Sequence, residues 1–179
     1  MALTEQWILE APDDEALYDI LSGELSRLLP DSIQNDRDLY HLTLTTLPRG
    51  LRAMAGIHFF DVSMALDDLA WHFGNQNDER DRRETSNGLR ELELPEIADM
   101  FDRMWTFFKP HMETLASSDY GGKDFHGWLN EVGAQALADP MDKYIWDHCE
   151  KVGGLGLLKS WVDYARKYPE RCVVTEKRA

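Results

Sequence analysis

Apolar residues recur along this chain at three- and four-residue steps, and that period predicts helices. From Asp13 to Leu29 they fall at Leu17, Ile20, Leu21, Leu25 and Leu28. Asp13, Asp14 and Glu15 lie in the first turn, where the helix dipole favours negative charge, and Pro30 ends the segment. Ser32 to Asp38 is polar and reads as a loop. Leu39 to Leu47 fits a short strand or a turn of helix, with helix or irregular structure the better fit. Thr46-Leu47-Pro48 marks a helix start, and the mostly apolar run Arg49 to Phe60 predicts a central helix. That helix either continues through Asp61 or restarts at Ser63 and runs to Phe73, with Gly74-Asn75 as its stop.

Asp78 to Leu92 predicts a highly charged helix with a thin apolar face. Pro95 opens the next helix, whose stripe is Ile97, Met100, Phe101, Met104, Trp105 and Phe108, and Pro110 closes or kinks it. Ser117 to Gly122 reads as a loop and Phe125 to Glu131 as a short helix. Asp139-Pro140 caps and starts another helix, with Met141, Tyr144, Ile145, His148 and Cys149 on one side, and Gly153-Gly154 breaks it. The last helix spans Leu155 to Tyr168 and ends at Pro169. No two-residue alternation is sustained. The expectation is an all-α fold, a single compact domain of seven or eight helices over residues 1–172, followed by a flexible basic tail, 173–179.

Composition supports a folded chain. Of 179 residues, 43% are hydrophobic and 11% aromatic, enough for a core despite a net charge of −14. No apolar run approaches the ~18 residues of a membrane span, and the start lacks a signal-peptide pattern. Cys149 and Cys172 have no metal spacing. A soluble cytoplasmic protein with free thiols is expected, with no membrane contact.

Charge is unevenly placed. Residues 1–150 carry 30 acids and 12 bases, whereas residues 151–179 carry 3 acids and 7 bases. Such a body repels nucleic acid and attracts basic surfaces, so direct nucleic-acid binding is not expected. Solubility alone is the competing explanation. The densest acidic stretch is Asp78, Glu79, Asp81, Glu84, Glu91, Glu93, Glu96, Asp99 and Asp102, and between Glu91 and Asp102 no base intervenes. Carboxylates on successive helical turns repeat at ~5.4 Å, a spacing comparable with phosphates along one DNA strand. These nine residues are the candidate partner-binding set; a solvated helix face is the bland alternative.

Catalytic patterns are weak, and no catalytic, metal or cofactor residue is assigned. Asp68 and His72 are four apart and share a helix face with Asp67 nearby, which could hold a metal, but a second His and a zinc-protease Glu are lacking. His148 and Cys149 are adjacent on a helix and point about 100° apart. Gly153-Gly154-Leu155-Gly156 and Gly121-Gly122-Lys123 lack the strand and the Lys-Ser/Thr of a phosphate loop. Trp71, Trp105, Trp128, Trp146 and Trp161 fall on apolar helix faces and read as core. Arg166, Lys167, Arg171, Lys177 and Arg178 could bind an anionic partner or, as the favoured reading, simply place positive charge at the end of the last helix.

The stretch from His58-Phe59-Phe60 through Trp71-His72-Phe73-Gly74-Asn75, then Gly88-Leu89-Arg90-Glu91-Leu92 and Pro95-Glu96-Ile97-Ala98, resembles the core of the bacterial DNA-mimic family of small acidic helical proteins. The run from Tyr144-Ile145-Trp146 through Gly153-Gly154-Leu155 to Trp161-Val162-Asp163-Tyr164-Ala165-Arg166-Lys167-Tyr168-Pro169 is similar to endings among its members. Where that family often carries Asn-Gly-Gly-Phe, this chain has Leu66-Asp67-Asp68-Leu69. The resemblance implies an acidic all-α protein without catalysis that occupies the DNA-binding surface of a transcription factor. The expected function is therefore non-enzymatic binding of a basic protein partner, a transcription factor or other DNA-binding protein, without a cofactor; a homodimer is compatible. A helical-bundle metal-dependent hydrolase and a toxin-neutralising immunity protein are the alternatives.

Overall fold

The computed structural model describes residues 3–76 and 78–174, and every regular element among them is helical. The helices are α1 (Glu5–Glu10), α2 (Asp14–Leu28), α3 (Asp31–Gln34), α4 (Arg37–Leu44), α5 (Arg49–Leu66), α6 (Leu69–Asn75), α7 (Glu79–Glu91), α8 (Pro95–Phe108), α9 (Met112–Ser117), α10 (Phe125–Val132), α11 (Ala134–Val152) and α12 (Lys159–Lys167). Short 3-10 turns cover Lys109–His111, Gly156–Leu158 and Pro169–Arg171. None of the described helices is long and apolar enough to cross a membrane.

Part of the acidity is structural. Asp13, Asp36, Asp68, Asp78 and Asp124 each cap a helix, accepting the backbone N–H of Ala16, Leu39, Trp71, Arg80 and Gly127. Each such bond satisfies an otherwise orphaned N–H at a helix N-terminus and contributes about 1 kcal/mol.

Helix α5 is the axis of the fold, with Leu51, Met54, Ile57, Phe60 and Met64 all buried. Its most extensive neighbour is α7, the most polar helix in the chain. The two approach closely because Gly56 and Gly88 carry no side chain. A Cβ on Gly56 would lie 2.7 Å from the Glu84 carbonyl oxygen, and one on Gly88 would lie 2.6 Å from that of Ala53. The Thr85 hydroxyl donates to the Gly56 carbonyl at 2.8 Å. On the other side of α5, aromatic rings join α6, α8 and α10. Phe60, Phe101, Phe73, Phe108 and Trp128 follow one another with centroids 4.9–6.3 Å apart.

Several expectations need correction. The twelve α-helices among the described residues outnumber seven or eight, because α1, α3 and α9 are short pieces without a repeating stripe and the ambiguous run 39–47 contributes α4. The loop expected over 32–38 is instead α3 and the start of α4, which Asp36 caps. The central helix runs unbroken to Leu66. Asp139-Pro140 does not start a helix. Pro140 lies inside α11, which begins at Ala134 after Gly133 turns the chain at φ 81°. Its missing N–H leaves the Ala136 carbonyl without a helical partner, and both residues are exposed, so water can serve that oxygen. The last helix starts at Lys159, after a 3-10 turn. Of the expected tail, Val173 packs against the core, and residues 175–179, with Lys177 and Arg178, lie outside the described residues.

Candidate functional site

Of the nine carboxylates singled out in the sequence, the structure places seven in ion pairs, mostly with bases far away in the chain. Glu84 is buried and takes both nitrogens of the Arg52 fork from α5 at 2.8 Å. Asp81 contacts Arg37 and lies 3.2 Å from Nε2 of His41, both on α4; its burial raises its pKa despite these partners. Asp78 is held down to about 2, chiefly by the Arg80 guanidinium. Glu91 binds Arg49 and the Tyr164 hydroxyl. Glu93, in a left-handed conformation at φ 63°, binds Lys167 at 2.7 Å and Tyr168 at 2.8 Å. Asp99 and Asp102 share Arg90 at 2.6 and 2.9 Å. Glu79 and Glu96 are exposed and make no ion pair among the described residues. The α7 acids thus turn mainly inward onto α4 and α5, whereas Glu93, Glu96, Asp99 and Asp102 stay within reach of solvent.

The Asp67–Asp68–His72 group does not form a metal pocket. Asp68 caps α6, and its second oxygen accepts from Gln135 at 3.3 Å. His72 points into the core between Phe60 and Phe73. The Ser63 hydroxyl donates to the Phe59 carbonyl, so its oxygen accepts from Nδ1–H of His72 at 2.8 Å. Burial pushes this imidazole down to about 3, which keeps it neutral. The N-terminus of α6 receives a second carboxylate that the sequence did not suggest. Asp142 of α11, 1% exposed, accepts the Leu69 N–H at 2.9 Å. Burial pushes it up to about 6, and the charges of Asp68, Asp139 and Asp67 add to that.

Among the described residues, tertiary folding does bring one potential ligand set together. His41, Asp78 and Asp81 offer atoms within 4.8 Å of one another. Arg37 and Arg80 already occupy both carboxylates, and Arg37 comes within 3.5 Å of the His41 ring nitrogen. Two guanidinium groups at the position of a cation make this an ion-pair network. Arg82 of the charged helix α7 is buried. It lies 3.9 Å over the Trp105 ring and donates to the Gln76 carbonyl, and burial lowers its pKa to about 10. Both cysteines are held as thiols by burial, Cys172 at about 12.

A further concave feature lies elsewhere. A solvent-open groove runs between α2, α5 and α11 and the turn at Gly153–Gly156, as two adjoining hollows of about 490 and 580 Å³ that share Tyr18, Gly154 and Leu155. Glu15 and Asp19 rim one hollow, and Asp61 and Glu150 rim the other. The floor between them is apolar and includes Met64, Ala65, Leu155 and Leu158. Lys159 is the one base lining it, and it is already bound to Asp14 and Asp163. Asp61 has no ion-pair partner among the described residues, and burial pushes its carboxyl up to about 6. Trp146 corrects an expectation here. It is 44% exposed, and its indole N–H donates to the Met64 carbonyl at 3.1 Å, so the ring lies along the groove wall rather than in the core. Leu66, 74% exposed, extends from the end of α5 beyond Met64 and Ala65.

No protein-family model matches this chain, and no curated protein or solved structure does either.

Proposed function

We propose that this protein is a non-enzymatic, acidic interaction protein that binds a basic protein partner and blocks a DNA-binding protein by presenting carboxylates in place of phosphates. The observation that carries this reading is the charge balance after internal pairing. Arg37, Arg49, Arg52, Arg80, Arg90 and Lys167 are all engaged with acids of the protein itself. Most of the acidic excess behind the net charge of −14 therefore has no internal counter-charge, and Glu79 and Glu96 among it are exposed. Glu96, Asp99 and Asp102 follow one another at three-residue steps along α8, and of the three only Asp99 and Asp102 share a base, the single Arg90. Rows of this kind attract basic surfaces over a Debye length and speed encounter.

The hydrolase alternative loses its proposed site, since Asp68 and His72 face different partners. An immunity protein would use the same acidic surface, and only the identity of its partner would differ.

The test is affinity capture from the native host at low salt, followed by competition. A DNA-binding protein released both by high salt and by duplex DNA carrying its site supports the reading. Reversing Glu96 and Asp99 to Lys should slow association and change stability by ~0.5 kcal/mol or less. A partner that binds equally well at high salt, or that binds DNA and this protein together, would refute it.

A further inference from the structure

We propose that the groove between α2, α5 and α11 is the docking site for a basic amphipathic segment of the partner protein, with a Lys or Arg set against Asp61 and Glu150 and an apolar side chain laid on the floor between Tyr18, Leu155 and Trp146. The inference rests on the reading of this chain as an acidic interaction protein, but it places the specific contact away from the α8 carboxylates.

Three observations carry it. The groove combines an apolar floor with acidic rims at both ends, and its single lining base is already neutralised. That pattern is complementary to a segment with cations spaced along one apolar face, as when an amphipathic helix lies in a groove. Second, Asp61 is a part-buried carboxyl that lines the groove and has no ion-pair partner among the described residues. A cation brought alongside would hold it ionised and compensate its desolvation. Third, Trp146 is fixed by its bond to the Met64 carbonyl while nearly half its surface stays open. A rigid, part-exposed indole is the usual anchor of a binding hot spot, and it offers its face to an Arg or Lys. A small cationic metabolite fits less well, because the two hollows join into a trough open along its length rather than an enclosed pocket.

The experiment uses the full chain and two synthetic peptides of equal charge. One spaces Lys and Leu to give an amphipathic helix; the other replaces every Leu by Gly. Affinity is measured by fluorescence anisotropy, and the contact is mapped by amide and indole N–H chemical shifts. The amphipathic peptide should bind about tenfold or more tightly than its Gly counterpart, with shifts centred on the Trp146 indole N–H, Tyr18, Asp61 and Gly154. Asp61→Asn removes the charge at nearly constant side-chain size, and Trp146→Ala removes a part-exposed ring; each should weaken binding roughly tenfold with unfolding midpoints checked alongside. Equal binding of both peptides, or full affinity in both variants, overturns the groove assignment. If the groove variants bind normally while Glu96→Lys with Asp99→Lys does not, the acidic-partner reading survives and the groove does not. If neither peptide binds at low salt, both fall.

Discussion

Replacing Gly88 by Ala should destabilise this protein, and replacing Gly23 by Ala should do the opposite. Both glycines lie within helices, where Ala is intrinsically better by about 1 kcal/mol. At Gly23 a new Cβ meets nothing within 4 Å, so only the propensity gain remains. At Gly88 the Cβ would sit 2.6 Å from the Ala53 carbonyl oxygen and 3.0 Å from Cγ2 of Ile57. The carbonyl belongs to the backbone of α5 and cannot rotate away, so α7 must back off by about 0.8 Å to reach an ordinary 3.4 Å contact. That displacement stretches the buried Thr85–Gly56 hydrogen bond and the Arg52–Glu84 fork beside it. Overpacking costs ~1–3 kcal/mol, and a weakened buried hydrogen bond adds ~1 kcal/mol. After the propensity gain, Gly88→Ala should lose ~1–3 kcal/mol and Gly23→Ala should gain ~0.5–1 kcal/mol. Urea unfolding followed by circular dichroism reads this directly. With a slope of ~2 kcal/mol/M, the midpoint falls by ~0.5–1.5 M for Gly88→Ala and rises by a few tenths for Gly23→Ala. A Gly88→Ala protein as stable as the parent, or shifts of the same sign at both positions, would show that α5 and α7 are not in backbone contact.

Asp142 keeps its proton up to about pH 6 in the fold, whereas the unfolded chain releases it near the usual 3.8. As pH rises through that window stability is lost, by up to ~3 kcal/mol. Asp142→Asn, which retains an acceptor for the Leu69 N–H, should match the parent near pH 4 and exceed it by ~1–3 kcal/mol at pH 8; a gap that does not grow with pH would refute the burial argument. His72 runs the other way. Its stabilisation is complete above the unfolded value of 6.5 and declines as pH falls toward about 3, because only the unfolded chain takes up the proton. Its ring resonances should therefore still report a neutral imidazole at pH 5, and a titration midpoint near 6.5 would place it outside the core. Isolated charge reversals on α8 should leave unfolding midpoints nearly unchanged, as measured by the same urea titration.

Much of the local structure is legible in the residues themselves. Helical period identifies α2, the central α5 and the aromatic stripe of α8, and Asp13, Pro95 and Gly153 mark boundaries where the structure has them. These signals work because a helix's period, caps and breakers act within a few residues of one another. They fail where a local signal is outvoted. Pro140 resembles a start, but the buried line Ala134, Ala138, Met141 and Ile145 runs straight through it. The run 32–38 looks like a loop, yet Pro30 and Asp36 each begin a short helix there.

The sequence by itself determined the helical class, the position of α2, α7 and α8, the start of α5 and the excess of negative charge. What each charge does was decided by tertiary structure alone. Arg49 and Glu91 are 42 residues apart, and Lys167 and Glu93 are 74 apart, so their pairing depends on how α5 and α12 are laid against the α7–α8 connection. A helix wheel shows that Trp146 lies on an apolar stripe, but only the placement of α11 against the end of α5 leaves that ring open in the same hollow as Asp61. Periodicity is a property of neighbours along the chain, whereas ion pairs, burial and grooves depend on distances between segments that only packing fixes.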